Sequence, residues 1–141
     1  MIYLGADHAG YKLKEFLKNN FDKRKIKYSD LGTYSEEPVD YPDYAFKVAR
    51  KVAKEKNAKG ILICSTGAGM CIAANRIRGA RAVLAYDKYS AKMSKMHNDA
   101  NILCLKGWNV SFKKQAELVV IWLKTKFENI PRRRRRIAKL K

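Results

Sequence analysis

Little in this chain could hold a metal or a disulfide framework. Two histidines are too few for a metal cluster, and three cysteines, Cys64, Cys71 and Cys104, are odd in number and lack C-x-x-C spacing, so neither a zinc site nor a secreted disulfide scaffold is implied. No apolar run approaches the ~18 residues that a membrane-spanning helix needs, and the N-terminus goes straight into an apolar strand without a signal-peptide pattern. A cytoplasmic protein without a membrane partner is expected. Hairpin signals are missing and no sequence repeat is strong enough for a solenoid. Acidic residues are also scarce: 13 against 31 lysines and arginines, for a formal net charge of +18. Arg132 to Arg136 with Lys139 and Lys141 supply +7 of that, which leaves +11 for residues 1–131. Such a field attracts phosphorylated metabolites, nucleic acid or acidic membrane surfaces without choosing among them.

What is present suits one core: 141 residues, of which 47% are hydrophobic, make a single domain over 1–141 with a basic tail over 130–141. Ile2-Tyr3-Leu4 reads as a strand that runs into the loop Gly5 to Gly10, and Leu13, Phe16, Leu17 and Phe21 then recur at helical spacing. Arg24 to Ser29 reads as a second strand, weakly apolar and basic, which suggests an edge position, and it ends in the polar turn Asp30 to Thr33. Tyr44, Ala45, Val48, Ala49, Val52 and Ala53 form an apolar stripe on a lysine-rich helix. Strands at 60–64, 81–85 and 101–105 alternate with helices near 69–78 and 86–97 and with a last helix capped by Ser111. That helix's inner face reads as Phe112, Ala116, Val119, Val120, Leu123 and Phe127. Five such alternations predict a doubly wound, Rossmann-like α/β sandwich with a five-stranded parallel sheet.

The stretch Gly60-Ile-Leu-Ile-Cys-Ser-Thr-Gly-Ala-Gly-Met70 carries the clearest chemistry. An apolar run fit for burial on both faces of a sheet passes at Cys64 into a small glycine-punctuated turn, which can aim successive backbone N–H groups at an anion. Cys64 sits where such a field would stabilise a thiolate, which is both nucleophile and base. The same residues also fit a buried structural thiol and a plain connection. Ligands of such sheets bind beyond the carboxyl ends of the strands, where Asp7, His8, Thr33, Cys64 to Gly69, Asp87 and Lys106 to Trp108 should gather. His97, Asn98 and Asp99 fall at the opposite end of a helix and would face away from this site, unless they reach a neighbouring subunit's. Asp87 reads as a helix N-terminal charge, Cys71 and Cys104 as core, and Tyr41 equally as pocket lining or rim packing.

Gly5-Ala-Asp-His-Ala-Gly10, Asp40-Tyr-Pro-Asp-Tyr-Ala45, the Cys64 turn with Ile72-Ala-Ala-Asn75, Gly79-Ala-Arg-Ala82 and His97-Asn-Asp-Ala-Asn101 together resemble the sugar-phosphate isomerase family that includes ribose-5-phosphate isomerase B and the allose- and galactose-6-phosphate isomerases. The match is colinear from Ile2 to about Leu105. The resemblance implies a metal-free, cofactor-free aldose–ketose isomerase acting on ribose 5-phosphate and ribulose 5-phosphate, in a homodimer or a dimer of dimers whose sites are shared between subunits. It implies Cys64 as the base and the amides of Ser65, Thr66, Gly67, Ala68 and Gly69 as the anion hole, with Thr66 counted as catalytic. His97 is implied to open the sugar ring with Asn98 beside it, both in the partner's site; Asp7 and His8 are implied to bind ring hydroxyls and phosphate. Arg132 and Arg136, spaced i, i+4, are implied to grip phosphate.

Three features depart from the family pattern: Ser65 follows the cysteine where Gly is common, Trp108 stands where many members carry a phosphate-holding arginine, and Ile130-Pro131 shifts the tail relative to the usual Gly-Gly-Arg. The run Arg132 to Arg136 therefore keeps three readings, as phosphate ligands, as a nucleic-acid tail and as a solvated end. Beside the pentose isomerase stand a 6-phosphohexose isomerase and a non-catalytic basic scaffold for nucleic acid.

Overall fold

Ile61 to Ile63 and Ile102 to Leu105 are wholly buried, as strands covered by helices on both faces must be. A computed structural model describes residues 1–141. It contains β1 (Ile2–Ala6), α1 (Tyr11–Lys23), β2 (Tyr28–Asp30), α2 (Tyr41–Lys54), β3 (Lys59–Cys64), α3 (Ala68–Ala74), β4 (Ala82–Leu84), α4 (Lys88–Asn98), β5 (Ile102–Lys106), α5 (Phe112–Lys124) and α6 (Pro131–Ala138). All strand pairings are parallel, in the order β2-β1-β3-β5-β4. The doubly wound, Rossmann-like sheet is thus as expected, and β2 is an edge strand.

Side chains alternate across the sheet because successive strand residues point to opposite faces. Leu4, Ala6, Ile61, Ile63, Leu103 and Leu105 meet α1, α4 and α5 through residues such as Leu13, Leu17, Ala91, Leu118 and Trp122. On the other face, Leu62, Cys64, Ile102 and Cys104 meet Val48, Ala49 and Val52 of α2 and Met70 and Ala73 of α3. From β1 the chain turns outward to β2, and from β3 it turns the other way to β4. The crevice between the carboxyl ends of β1 and β3 is therefore the switch point at which such sheets bind ligands.

Several element limits differ from the sequence reading, each for a local reason. Helix α3 stops at Ala74 rather than near residue 78 because the Asn75 side chain pairs with Ala82, its Nδ2 donating to the carbonyl at 2.8 Å and its Oδ1 accepting from the amide at 2.9 Å. The second strand starts only at Tyr28, since α1 runs to Lys23 and Lys25 turns the chain with φ 55°. Of the face expected for α5, Phe112, Ala116, Val119 and Leu123 pack against the sheet, but the buried centre is Leu118, Val119 and Trp122 rather than Val120. Its apolar arc is wider than one stripe, and Trp122, fully buried, decides which part faces the sheet. Phe127 lies beyond the helix end.

Candidate active site

The loop after β1 is folded by its own aspartate. Asp7 Oδ1 accepts hydrogen bonds from the amides of Ala9 (3.0 Å) and Gly10 (3.1 Å), while the Asp7 amide donates to the Ile63 carbonyl at 3.2 Å. This ties the β1 loop to β3 at the switch point. Gly10 permits the approach: a Cβ there would lie 2.4 Å from the Ile63 carbonyl oxygen. Burial pushes the Asp7 carboxyl up, an effect partly offset by the Gly10 amide, His8 and the Ala9 amide. His8 is oriented from outside its loop, because its Nδ1 accepts a hydrogen bond of 3.1 Å from the Val39 amide. An accepting Nδ1 leaves the proton of the neutral ring on Nε2, which becomes a donor for a ligand. Thr33 is buried, its amide bonded to the Ala6 carbonyl at 2.7 Å, so β2 holds the outer wall of the crevice.

The loop after β3 surrounds Cys64. Its thiol is buried, and the Gly67 amide donates to Sγ at 3.1 Å, so negative charge on the sulfur would meet a fixed N–H dipole. The amides of Ser65, Thr66 and Gly69 make no hydrogen bonds within the chain and stand available to an oxyanion. Thr66 Oγ1 accepts from the Ala68 amide at 3.2 Å, which leaves the hydroxyl proton free to donate. Gly67 has φ 81°, and a Cβ there would lie 2.5 Å from Leu84 Cδ1 and 2.9 Å from the Leu105 carbonyl oxygen, so the turn needs glycine on two counts. The Tyr41 ring packs on Gly69, where a Cβ would come within 2.9 Å of its carbons. From the β5 side, the amides of Gly107 and Trp108 donate to the carbonyls of Cys64 (2.8 Å) and Ser65 (3.3 Å). Trp108 stands exposed beside Ser65.

The structure thus brings together Asp7, His8, Thr33, Tyr41, the Cys64 to Gly69 turn and Trp108. Asp87 instead caps α4: its Oδ1 accepts from the Ser90 amide at 2.6 Å, and Ser90 Oγ accepts from the Asp87 amide at 3.1 Å. His97 and Asn98 end α4, a helix that returns the chain to the amino ends of the strands, where Arg81 Nε donates to the carbonyls of Asn98 and Asp99. Helix α6 lies at that same end. The Glu128 amide donates to the Met96 carbonyl at 2.9 Å, and Arg133 pairs with Glu128 at 3.0 Å. Arg134 binds Asn129, whereas Arg132 and Arg136 are exposed and make no ion pair. Within one chain, Cys64 and the group His97, Asn98, Arg132 and Arg136 are at opposite ends of the sheet.

Two features escaped the sequence reading. One is the Val39 amide, a backbone group whose only trace in the sequence is a loop stiffened by Pro38 and Pro42. The other is the environment of Cys71, which is only half-buried: the Cys104 thiol holds it down to about 7 against the upward push of burial. Burial in turn pushes Cys104 well up.

A buried thiol with an N–H on its sulfur, free amides one or two residues on, and a carboxylate and an imidazole donor across the crevice can move a proton between adjacent carbons and hold the oxyanion formed between. Comparison with known proteins points the same way. A family model described as Ribose/Galactose Isomerase matches residues 2–140. Ribose-5-phosphate isomerase B of Escherichia coli is 41% identical over 127 residues, which cover 90% of this chain and 85% of the relative. The crystal structure of a ribose 5-phosphate isomerase from Thermotoga maritima superposes with a TM-score of 0.95 at 45% identity, covering 99% of this chain and 95% of that one. Ribose-5-phosphate isomerase B of Mycoplasma genitalium, solved with bound ribulose-5-phosphate, superposes with a TM-score of 0.93 at 38% identity, over 99% and 92% of the two chains.

Proposed function

The chain belongs to the Ribose/Galactose Isomerase family, and on that premise we propose that it interconverts D-ribose 5-phosphate and D-ribulose 5-phosphate through an enediolate. The observation that carries the mechanism is the Gly67 amide on Cys64 Sγ. The Cys64 thiolate takes the proton from C2 of the open-chain aldose, and electrons move through C1–C2 onto O1. The amides of Ser65, Thr66 and Gly69, with the Thr66 hydroxyl, hold that oxyanion. The thiol returns the proton to C1, while the O2 hydroxyl proton passes to O1, leaving the carbonyl at C2. Asp7 accepts from sugar hydroxyls, His8 donates through Nε2, and Tyr41 closes the wall over Gly69.

The remaining groups come from a second subunit. The partner subunit's His97 opens the furanose ring with the partner subunit's Asn98 beside it, and the partner subunit's Arg132 and Arg136 hold the phosphate, for which Trp108 supplies no charge. Support for this comes from their position at the far end of their own sheet and from the two arginines being exposed and free of partners. A cytoplasmic homodimer fits three free cysteines and a chain with no helix long and apolar enough to cross a membrane. The test is ribulose 5-phosphate formation from ribose 5-phosphate in the presence of a chelator, with allose 6-phosphate and galactose 6-phosphate run in parallel. Turnover of the pentose above both hexoses supports the reading; turnover of a hexose alone moves the substrate to the 6-phosphosugars, and no turnover of any of the three overturns it.

A further inference from the structure

A charged surface that the isomerase chemistry leaves unused lies on the outer side of α2. Lys47, Arg50, Lys51 and Lys54 recur at i, i+3, i+4 and i+7, so they form one exposed stripe opposite the buried Ala45, Val48, Ala49 and Val52. None of the four makes an ion pair or a side-chain hydrogen bond. Asp43 is one turn before Lys47, yet Lys47 Nζ lies 4.8 Å over the Tyr44 ring instead. Glu55, at the helix end, is held by the Tyr3 hydroxyl and by the N-terminus at 3.8 Å. The four cations, with Leu31 and Tyr34, line a groove of about 460 Å³ that contains no acid.

Tyr34 closes one end of this groove in an unusual state. It is 69% exposed, yet its hydroxyl donates to the Asp30 carbonyl at 3.1 Å, a Cβ on Gly32 would lie 3.3 Å from its ring, and Lys14 Nζ lies 5.4 Å from its centroid. The ring is thus fixed before any ligand arrives, its donor is spent, and what it offers is an aromatic surface. A pinned exposed ring beside a stripe of free cations about 10 Å long matches how single strands are held without regard to sequence: phosphates on cations, bases stacked on aromatics. A purely acidic partner would use the stripe and gain nothing from the ring.

We propose that the α2 groove binds single-stranded nucleic acid, with Tyr34 as the stacking platform and Lys47, Arg50, Lys51 and Lys54 on the phosphates. The test is fluorescence anisotropy at low salt with a labelled oligouridylate of about 12 nucleotides, with inorganic polyphosphate and polyglutamate as competitors. The combined variant Lys47→Ala, Arg50→Ala, Lys51→Ala, Lys54→Ala keeps good helix formers on a solvent face and should weaken RNA binding at least tenfold, lowering the salt slope by up to about 3. An equal loss of charge elsewhere, Lys92→Ala, Lys113→Ala, Lys114→Ala, Lys124→Ala, should weaken it less than threefold. Tyr34→Leu should weaken RNA about tenfold and leave polyphosphate competition unchanged. Equal losses from the two alanine sets would reduce the effect to the overall field and overturn the proposal. So would a Tyr34→Leu variant that binds RNA as the unaltered protein does, or polyglutamate that outcompetes RNA.

Discussion

The amide of Gly67 points at the sulfur of Cys64 across 3.1 Å, so the residue proposed as the base and the residue that would steady its charge belong to one four-residue turn. Cys64→Ala removes the base and leaves the turn's own backbone bonds, Gly107 to the residue-64 carbonyl among them. A general base contributes about 10²–10⁴-fold. The expected result is a kcat lower by that factor and a KM within about threefold, with a modest fall in thermal midpoint from the emptied core position and the Gly67 amide left without its acceptor. A variant that keeps most of its kcat would remove Cys64 from the mechanism.

Gly67→Ala tests the geometry rather than the base. The substitution places a Cβ on a residue with φ 81° and within 2.9 Å of the Leu105 carbonyl oxygen, and left-handed strain alone costs about 1–2 kcal/mol for a residue with a side chain. Urea unfolding should show a loss of that size or larger, and kcat should fall with it because the amide leaves the sulfur. Unchanged stability would mean that the turn accommodates the methyl group by moving.

How far the sequence could be read depends on the range of the forces involved. Ile61 to Ile63 announce a strand covered on both faces, and Asp87 announces a cap, because the partners that decide them are local or generic. The Cys64 turn was legible as a tight strand-to-helix connection for the same reason. By contrast, Leu118 and Trp122 were missed at the buried centre of α5, although Phe112, Ala116, Val119 and Leu123 do pack against the sheet, since an apolar arc that spans Leu118, Val119, Val120, Ile121 and Trp122 can face the sheet in more than one way until Trp122 finds its cavity. Likewise the end of α3 is fixed by Asn75 reaching Ala82, and the tautomer of His8 by Val39, long-range bonds that leave no periodic mark.

Acid stability should hinge on Asp30. Lys14 is fully buried and lies 2.5 Å from this carboxylate, with Lys18 at 2.9 Å. Burial pushes the Asp30 carboxyl up, but the Lys14 and Lys18 hydrogen bonds and the Gly32 amide outweigh it and hold it below its ordinary value. A carboxylate depressed in the folded state gives stability that is present above its unfolded value near 4 and is lost as the pH falls through the lower folded value. Asp30→Asn leaves the Lys14 charge without its nearest partner and should cost on the order of 3 kcal/mol at pH 7. Urea midpoints followed from pH 7 downward should show the variant's acid limb flatter than that of the unaltered protein; parallel limbs would take Asp30 out of the acid transition.

Alkylation should separate Cys71 from Cys104. It is half-buried and held down to about 7 by the Cys104 thiol, whereas Cys104 is wholly buried and pushed well up. Iodoacetamide followed by peptide mass spectrometry should label Cys71 with a half-maximal rate near pH 7, and should leave Cys104 unmodified below pH 9. Replacing the thiol donor, in Cys104→Ala, should move the Cys71 midpoint upward. A midpoint that does not move would show that Cys104 has no hold on Cys71.

The distance between the two halves of the site gives the sharpest test of shared catalysis. Cys64 ends β3 at the carboxyl side of the sheet, and His97 ends α4 at the amino side, so no single chain can present both to one sugar. Cys64→Ala and His97→Ala should each be nearly inactive alone. When the two are unfolded, mixed in equal amounts and refolded, half of the dimers carry one of each chain, and in those one site of two receives an intact Cys64 from one subunit and an intact His97 from the other. About a quarter of the native activity should therefore return, with a KM close to that of the unaltered enzyme. A mixture that shows only the residual rates of its two components would mean that each subunit works alone, and would remove His97 from the site.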